Sequence, residues 1–347
     1  MANIKLRRTV AAALTLLAAG AFPPTAASAT APGTNGQISF MRTDVNGHWQ
    51  VWTANPDLRA QRQITGGGFD NGWPNWSPDG ARLAFDSART APEANGDLKE
   101  IFTMAADGND VRQVTGLGDY AGQPSWSPDG QWIAFTSDGP SYPATQGIYV
   151  IHPDGSGLRR VVTLPTGPRS VWLDAPRFSS DGRQLAYTFF EGGKATPAPW
   201  SWKGETSSLW VVGLDGAGAH MIVGPGYKVG DADWSPDGRY LVFEQMGNDP
   251  GKITSVLRVP ATGGGITALT HDTGYRGGRS ANWSFQASFD PVYSPDGTKI
   301  IYPHDDYSPS SGCTGLQVMN AVGSDQQWVD DQCGVEHQVD WGTHAFH

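Results

Sequence analysis

The sequence predicts an all-β fold: a six-bladed β-propeller closed by N- and C-terminal strands in one blade. Three observations carry that reading. Of 347 residues, 45 are Gly and 25 Pro, while only 17% are charged; such turn-dense composition excludes long helices and coiled coils. The 14 Trp, 10 Tyr and 13 Phe are too many for a disordered chain and enough for a large aromatic core. A short motif also recurs at a period near 50 residues, the mark of a repeat architecture.

The motif runs Pro74-Asn75-Trp76-Ser77-Pro78-Asp79-Gly80 and returns as Pro124-Ser125-Trp126-Ser127-Pro128-Asp129-Gly130. It returns again around Phe178, Trp234 and Tyr293, and in truncated form at Trp341, with spacings of 50, 52, 56, 59 and 48 residues. After each full copy comes an apolar triplet such as Leu83-Ala84-Phe85 or Ile133-Ala134-Phe135, then an alternating segment such as Ile101–Met104. A short edge segment such as Val111–Thr115 completes the unit. Alternation of period two bounded by Gly, Asp and Pro is the strand signature, and four strands per repeat make a propeller blade. Within Ser-Pro-Asp-Gly, Pro presets the turn and Gly accepts positive φ, so these aspartates read as punctuation and not as chemistry.

Residues from Gln37 onward supply three strands (around Ile38–Phe40, Val51–Ala54 and Arg62–Thr65) and lack a motif strand. His337–Trp341 supplies the missing one, so both termini build one blade and the ring has no large open edge. These blocks resemble the WD40-like PD40 repeats of the TolB β-propeller family, over essentially the whole chain after its N-terminus. The resemblance implies the propeller and says little of activity. TolB carries an α/β domain before its propeller, and the few residues ahead of Gln37 leave no counterpart to it, so the TolB role is not carried over whole.

Residues 1–29 read as a secretory signal peptide, 30–36 as a short linker and 37–347 as the propeller. Lys5, Arg7 and Arg8 precede the apolar run Val10–Ala19, and Ala27-Ser28-Ala29 offers a cleavage site. The expected localisation is secreted, extracellular or periplasmic, with no membrane span. The net charge of −10, from 24 basic and 34 acidic residues, argues against nucleic acid as a partner. In an oxidising compartment Cys313 and Cys333 are expected to form one disulfide. A monomer is expected.

Strand order divides the loops between two rims. Short turns fall on one, and the insertions 86–99, 136–147, 188–207, 271–289 and 303–315 on the other, which marks the binding face. Trp200, Trp202, Tyr275, Trp283 and Tyr307 lie in those insertions and suit protein or sugar rings. One acidic residue precedes each inner strand: Asp70, Asp119, Asp174, Asp231, Asp290 and Glu336. A ring of these at the channel mouth would attract a basic peptide, a sugar hydroxyl network or a divalent cation; no other cofactor is expected.

No nucleophile elbow, zinc-protease or phosphate-loop motif occurs. The expectation is therefore a non-catalytic scaffold binding a protein, peptide or glycan at the long-loop rim. The alternative is a polysaccharide lyase or glycoside hydrolase at the same rim, since some propellers with similar repeats are polysaccharide lyases. It would use His271, His304, His337 and Arg276 or Arg279, and it requires the three histidines to converge.

Overall fold

The computed structural model describes residues 33–94, 98–138, 145–164, 171–192, 206–247, 254–272, 285–308, 311–329 and 336–343. They form six antiparallel sheets arranged as the blades of a propeller. The closing blade orders Glu336–Trp341, Ile38–Thr43, Trp49–Ala54 and Arg62–Gln63 from the axis outward. Blades 1 to 5 follow over residues 71–113, 121–163, 171–223, 229–268 and 285–328. In blade 5 the inner strand is split into Phe285–Ser288 and Val292–Tyr293, both paired with Lys299–Ser308.

Each motif turn is held the same way. Ser77 Oγ donates to Asp79 Oδ1 at 2.6 Å, and the Ala81 and Arg82 amides donate to Asp79 Oδ1 and Ser77 Oγ. The same Ser–Asp bond returns at Ser127, Ser179, Ser235 and Ser294. The apolar triplets form the second strands and are sealed on both faces: Leu83, Ala84, Phe85, Ile133, Ala134 and Phe135 are all 0% exposed. A blade lies on either side of each, so no face is left for water. Every such Leu or Phe contributes about 1.5–3 kcal/mol.

The blades are also stitched near the axis. The residue before the motif aromatic accepts the aromatic's backbone N–H in the next blade. Asn75 Oδ1 takes the Trp126 amide at 2.7 Å, Asp233 Oδ2 the Tyr293 amide at 2.9 Å, and Asp340 Oδ2 the Trp76 amide at 2.7 Å. Farther out, the glycine of each Asp-Gly turn sits at positive φ against the preceding blade; a Cβ on Gly108 would press on the Ile64 carbonyl oxygen at 2.6 Å. These turns share a rim with the motif turns, since the Ala106 amide donates to the Ala81 carbonyl.

One expected insertion is largely strand. Residues 303–315 belong to a long hairpin, Lys299–Ser308 against Ser311–Asn320, whose last pair is Ser308 with Ser311. Thr314 Oγ1 donates to Asp305 Oδ1 across it, so polar pairs extend a ladder that hydrophobic alternation did not reveal. In blade 3 the strands likewise run on to Glu191 and restart at Thr206. Residues 33–36 bind across the ring seam: the Gly36 amide reaches the Gly342 carbonyl, and Asn35 reaches Asp296.

Replacing Asp340 by Ala strands the buried Trp76 amide and should lower stability by about 1–3 kcal/mol. Asp340→Asn, which keeps an acceptor, should lose much less. Urea unfolding of both variants checks this.

Candidate functional site

The channel lining comes from a repeated distortion of the inner strand. In five blades the pairing of inner strand with second strand slips, for example between Gly72 and Asn75 and between Gly122 and Ser125. The residue three before the motif aromatic is left-handed in five blades: Trp73 (φ 50), Gln123 (φ 59), Ala175 (φ 46), Asp290 (φ 46) and Gln338 (φ 50). Such a conformation costs a non-glycine residue on the order of 1–2 kcal/mol. Its bulge re-aims side chains toward the axis.

The sixth member of that series is Asp231. Its carboxyl hydrogen-bonds Asp290 across blades 4 and 5. Glu244, from the second strand of blade 4, joins them by accepting the Asp290 amide. It reaches inward because Gly230 opposite has no side chain; a Cβ there would lie 2.9 Å from Glu244 Oε2. Gly72 gives Asp86 the same opening, with Asp86 Oδ1 3.3 Å from where a Cβ would be. Gln338 closes the group from the next blade, its Nε2 donating to Asp290 Oδ2 at 3.0 Å.

Asp174 stands one position earlier in blade 3 and accepts a bond from the Gln123 side chain. Burial, then the Asp231 charge, pushes Asp174 up to about 7. The same two causes push Glu244 up to about 8 and Asp290 well above the ordinary carboxylate range. A hydroxyl completes the group: Tyr120 is held well above 10 by burial and by the charges of Asp86 and Asp174. Of the cations near the wall, Lys99 is committed to Asp86 at 3.0 Å, and the Arg177 charge only partly offsets the upward push on Asp174. Several carboxyls at this site therefore keep protons at neutral pH. Toward the motif-turn rim a second layer follows, where Asp233 is pushed up to about 7 and Asp340 to about 6 despite the Arg177 charge.

The six predicted acidic residues fall into different surroundings. Asp174, Asp231 and Asp290 come together. Asp70 instead accepts the Trp49 amide at 2.9 Å and sits 3.8 Å from His48, and Asp119 accepts the Tyr120 amide in the link. Both precede the strand too early to reach the bulge. Glu336 opens the last strand, paired with Arg42. Asp86 and Glu244, which complete the cluster, lie on second strands and not before inner ones; the glycines opposite them, Gly72 and Gly230, are the sign of it in the sequence.

The histidines do not share a partner. His304 is buried, with Nδ1 2.9 Å from Ser288 Oγ and 3.7 Å from Asp272, and its ring meets Trp328. Serine and aspartate approach the same ring nitrogen, so this is a packed polar knot and not a nucleophile relay. His337 lies between Trp49 and Phe289, and burial drives it down to about 4. Asp272 turns inward to Thr270 and Ser288, which leaves its neighbour His271 exposed. Among the described residues, no group of three His, Cys, Asp or Glu is placed to hold a metal ion. Tyr307 and Cys313 lie on the long hairpin of blade 5, opposite Gly312 and Asp306. Trp200, Trp202, Tyr275, Arg276, Arg279, Trp283 and Cys333 fall outside the described residues.

No protein-family model and no curated protein matches the chain. Solved structures do match in shape, and they define a TolB-like six-bladed propeller. TolB from Acinetobacter baumannii superposes with a TM-score of 0.64 at 16% identity, over 88% of this chain and 66% of that one. A TolB structure from Agrobacterium tumefaciens gives 0.58 at 18%, over 86% and 90%. An oligogalacturonate lyase in complex with manganese gives 0.55 at 13%, over 85% and 74%. At these identities the likeness is one of fold. Among the described residues, no helix is long and apolar enough to cross a membrane.

The channel carboxyls set a pH dependence. Unfolded carboxyls titrate near 4, whereas Asp174 and Glu244 do so at about 7 and about 8. The folded state binds the extra protons, so stability is fullest at low pH and declines as pH rises through 7 to 8. Thermal melts from pH 5 to 9 should fall up to about pH 8 and then level off, and Glu244→Gln should flatten that fall.

Proposed function

We propose that this chain is an exported, non-catalytic propeller that binds a protein or peptide partner through a cationic group at the channel. The observation that carries the reading is the Asp174, Asp231, Glu244 and Asp290 cluster. It lies on the long-loop side of the Arg177 layer, where burial and the neighbouring Asp231 charge hold Asp174, Glu244 and Asp290 above the ordinary carboxylate range. A lysine, arginine or terminal amine entering there replaces those protons as the counter-charge. Trp73, in the same bulge series three blades from Asp231, adds an aromatic wall of the kind that favours cations. The likeness to TolB structures is compatible with a binding role. Export by cleavage near Ala29 and a Cys313–Cys333 disulfide belong to this reading.

The rival, a lyase or hydrolase acting on a polysaccharide, draws on the likeness to oligogalacturonate lyase. The separate surroundings of His271, His304 and His337 weigh against it. Calorimetry with trilysine, in two buffers of different ionisation enthalpy, tests the proposal. Saturable binding with proton release is expected, weakened about tenfold or more in Asp231→Asn. Absence of binding, together with turnover of oligogalacturonate, would favour the rival. Intact mass of the exported protein should correspond to a chain starting at Thr30, lighter by two thiol hydrogens than its reduced form.

A further inference from the structure

A second charged feature stands on the long-loop rim, away from the carboxyl cluster. Arg89 follows Arg82–Ser87, the second strand of blade 1. Its guanidinium lies against three rings, 4.6 Å from the centroid of Phe102, 5.1 Å from Phe85 and 5.7 Å from Phe69. Phe85 and Phe102 pack with Val51 of the closing blade, so Arg89 caps the seam between that blade and blade 1.

The guanidinium is held at one edge. Nε donates to Ser87 Oγ at 3.0 Å and Nη2 to Asn71 Oδ1 at 3.0 Å. Both acceptors are buried and fixed in turn: Ser87 Oγ donates to Asn71 Oδ1, and Asn71 Nδ2 donates to Gln50 Oε1, which also accepts from Thr65. The orientation of the fork is therefore set before any ligand arrives. No carboxylate pairs with Arg89 among the described residues. Burial disfavours the charge, and no acid among the described residues offsets that. A guanidinium has five N–H donors, and acceptors among the described residues use two of them. Lys99 and Arg82, on the same blade, each have an aspartate.

An oriented, partly desolvated guanidinium with spare donors matches a carboxylate, which takes two parallel N–H bonds. We propose that Arg89 anchors an organic carboxylate at the seam between the closing blade and blade 1. The packing role and the binding role are separable, because aromatic rings seat the stem and faces of the side chain while a carboxylate needs its outer edge. The proposal does not depend on the channel binding a cation.

Peptide C-termini and uronic sugars both present this group, so two probes are needed: N-acetylglycine and methyl glucuronide, with N-acetylglycinamide as the uncharged control. In the wild-type protein, Arg89 is expected to react with phenylglyoxal, read by peptide mass mapping, and one acid is expected to protect it saturably. Protection by N-acetylglycine alone assigns a peptide C-terminus; protection by methyl glucuronide alone assigns a uronic sugar. Arg89→Lys keeps the charge and loses the fork, and should weaken binding of the protecting acid about tenfold with the melting temperature little changed. Inert Arg89, protection by neither acid, or equal protection by the amide would overturn the proposal.

Discussion

Ring closure rests on one strand pair, and the rest of the molecule depends on it. Glu336–Trp341 lies antiparallel to Ile38–Thr43, with Ile38 opposite Trp341 and Arg42 opposite Glu336. Without that pair, blade 1 would expose Trp76, Leu83 and Phe85, and blade 5 would expose Val292, Ile301 and Leu316, all now buried. An open arc would also present unpaired strand edges, which invite aggregation. The seam is accordingly reinforced more than once: Asp340 takes the Trp76 amide, Trp341 Nε1 reaches the Gly36 carbonyl, and Thr343 reaches the Pro78 carbonyl.

Closure also makes the channel chemistry possible. Asp231 and Asp290 come from neighbouring blades, Gln338 from the closing strand, and Asp174 from across the cluster. No single blade carries more than two of these carboxyls. The charge density exists only because the ring brings them to one axis, and the low polarity there turns proximity into retained protons. Left-handed residues in five blades store strain at the same height; sheet pairing on either side of each bulge holds them. The site is therefore coupled to the fold, and its protonation feeds back on stability.

The repeat was legible because every blade solves the same packing problem with the same residues: a Ser-Pro-Asp-Gly turn, a buried triplet, an alternating strand. Even the split between two termini could be read from the lone Val339-Asp340-Trp341 segment. The site was legible only in part. Asp174, Asp231 and Asp290 stand before inner strands as expected, but their distance from the motif aromatic varies, and Asp70 and Asp119 fall outside the bulge. Asp86 and Glu244 were hidden because a second-strand residue normally faces a neighbouring blade. Only an inner-strand glycine lets it through, as Gly72 and Gly230 do. The long hairpin at Lys299–Asn320 was missed for a similar reason: its outer half pairs polar with polar, so no hydrophobic alternation marks it.

Asp174, Glu244 and Asp290 in the channel hold protons near neutral pH. Carbon-13 NMR titration of labelled Asp and Glu side chains measures this directly, with Asp174→Asn and Glu244→Gln assigning the resonances. Carboxyl carbons are expected to titrate at about 7 for Asp174 and about 8 for Glu244, both lowered when a basic peptide binds. Midpoints near 4 for both groups, unmoved by the peptide, would contradict it.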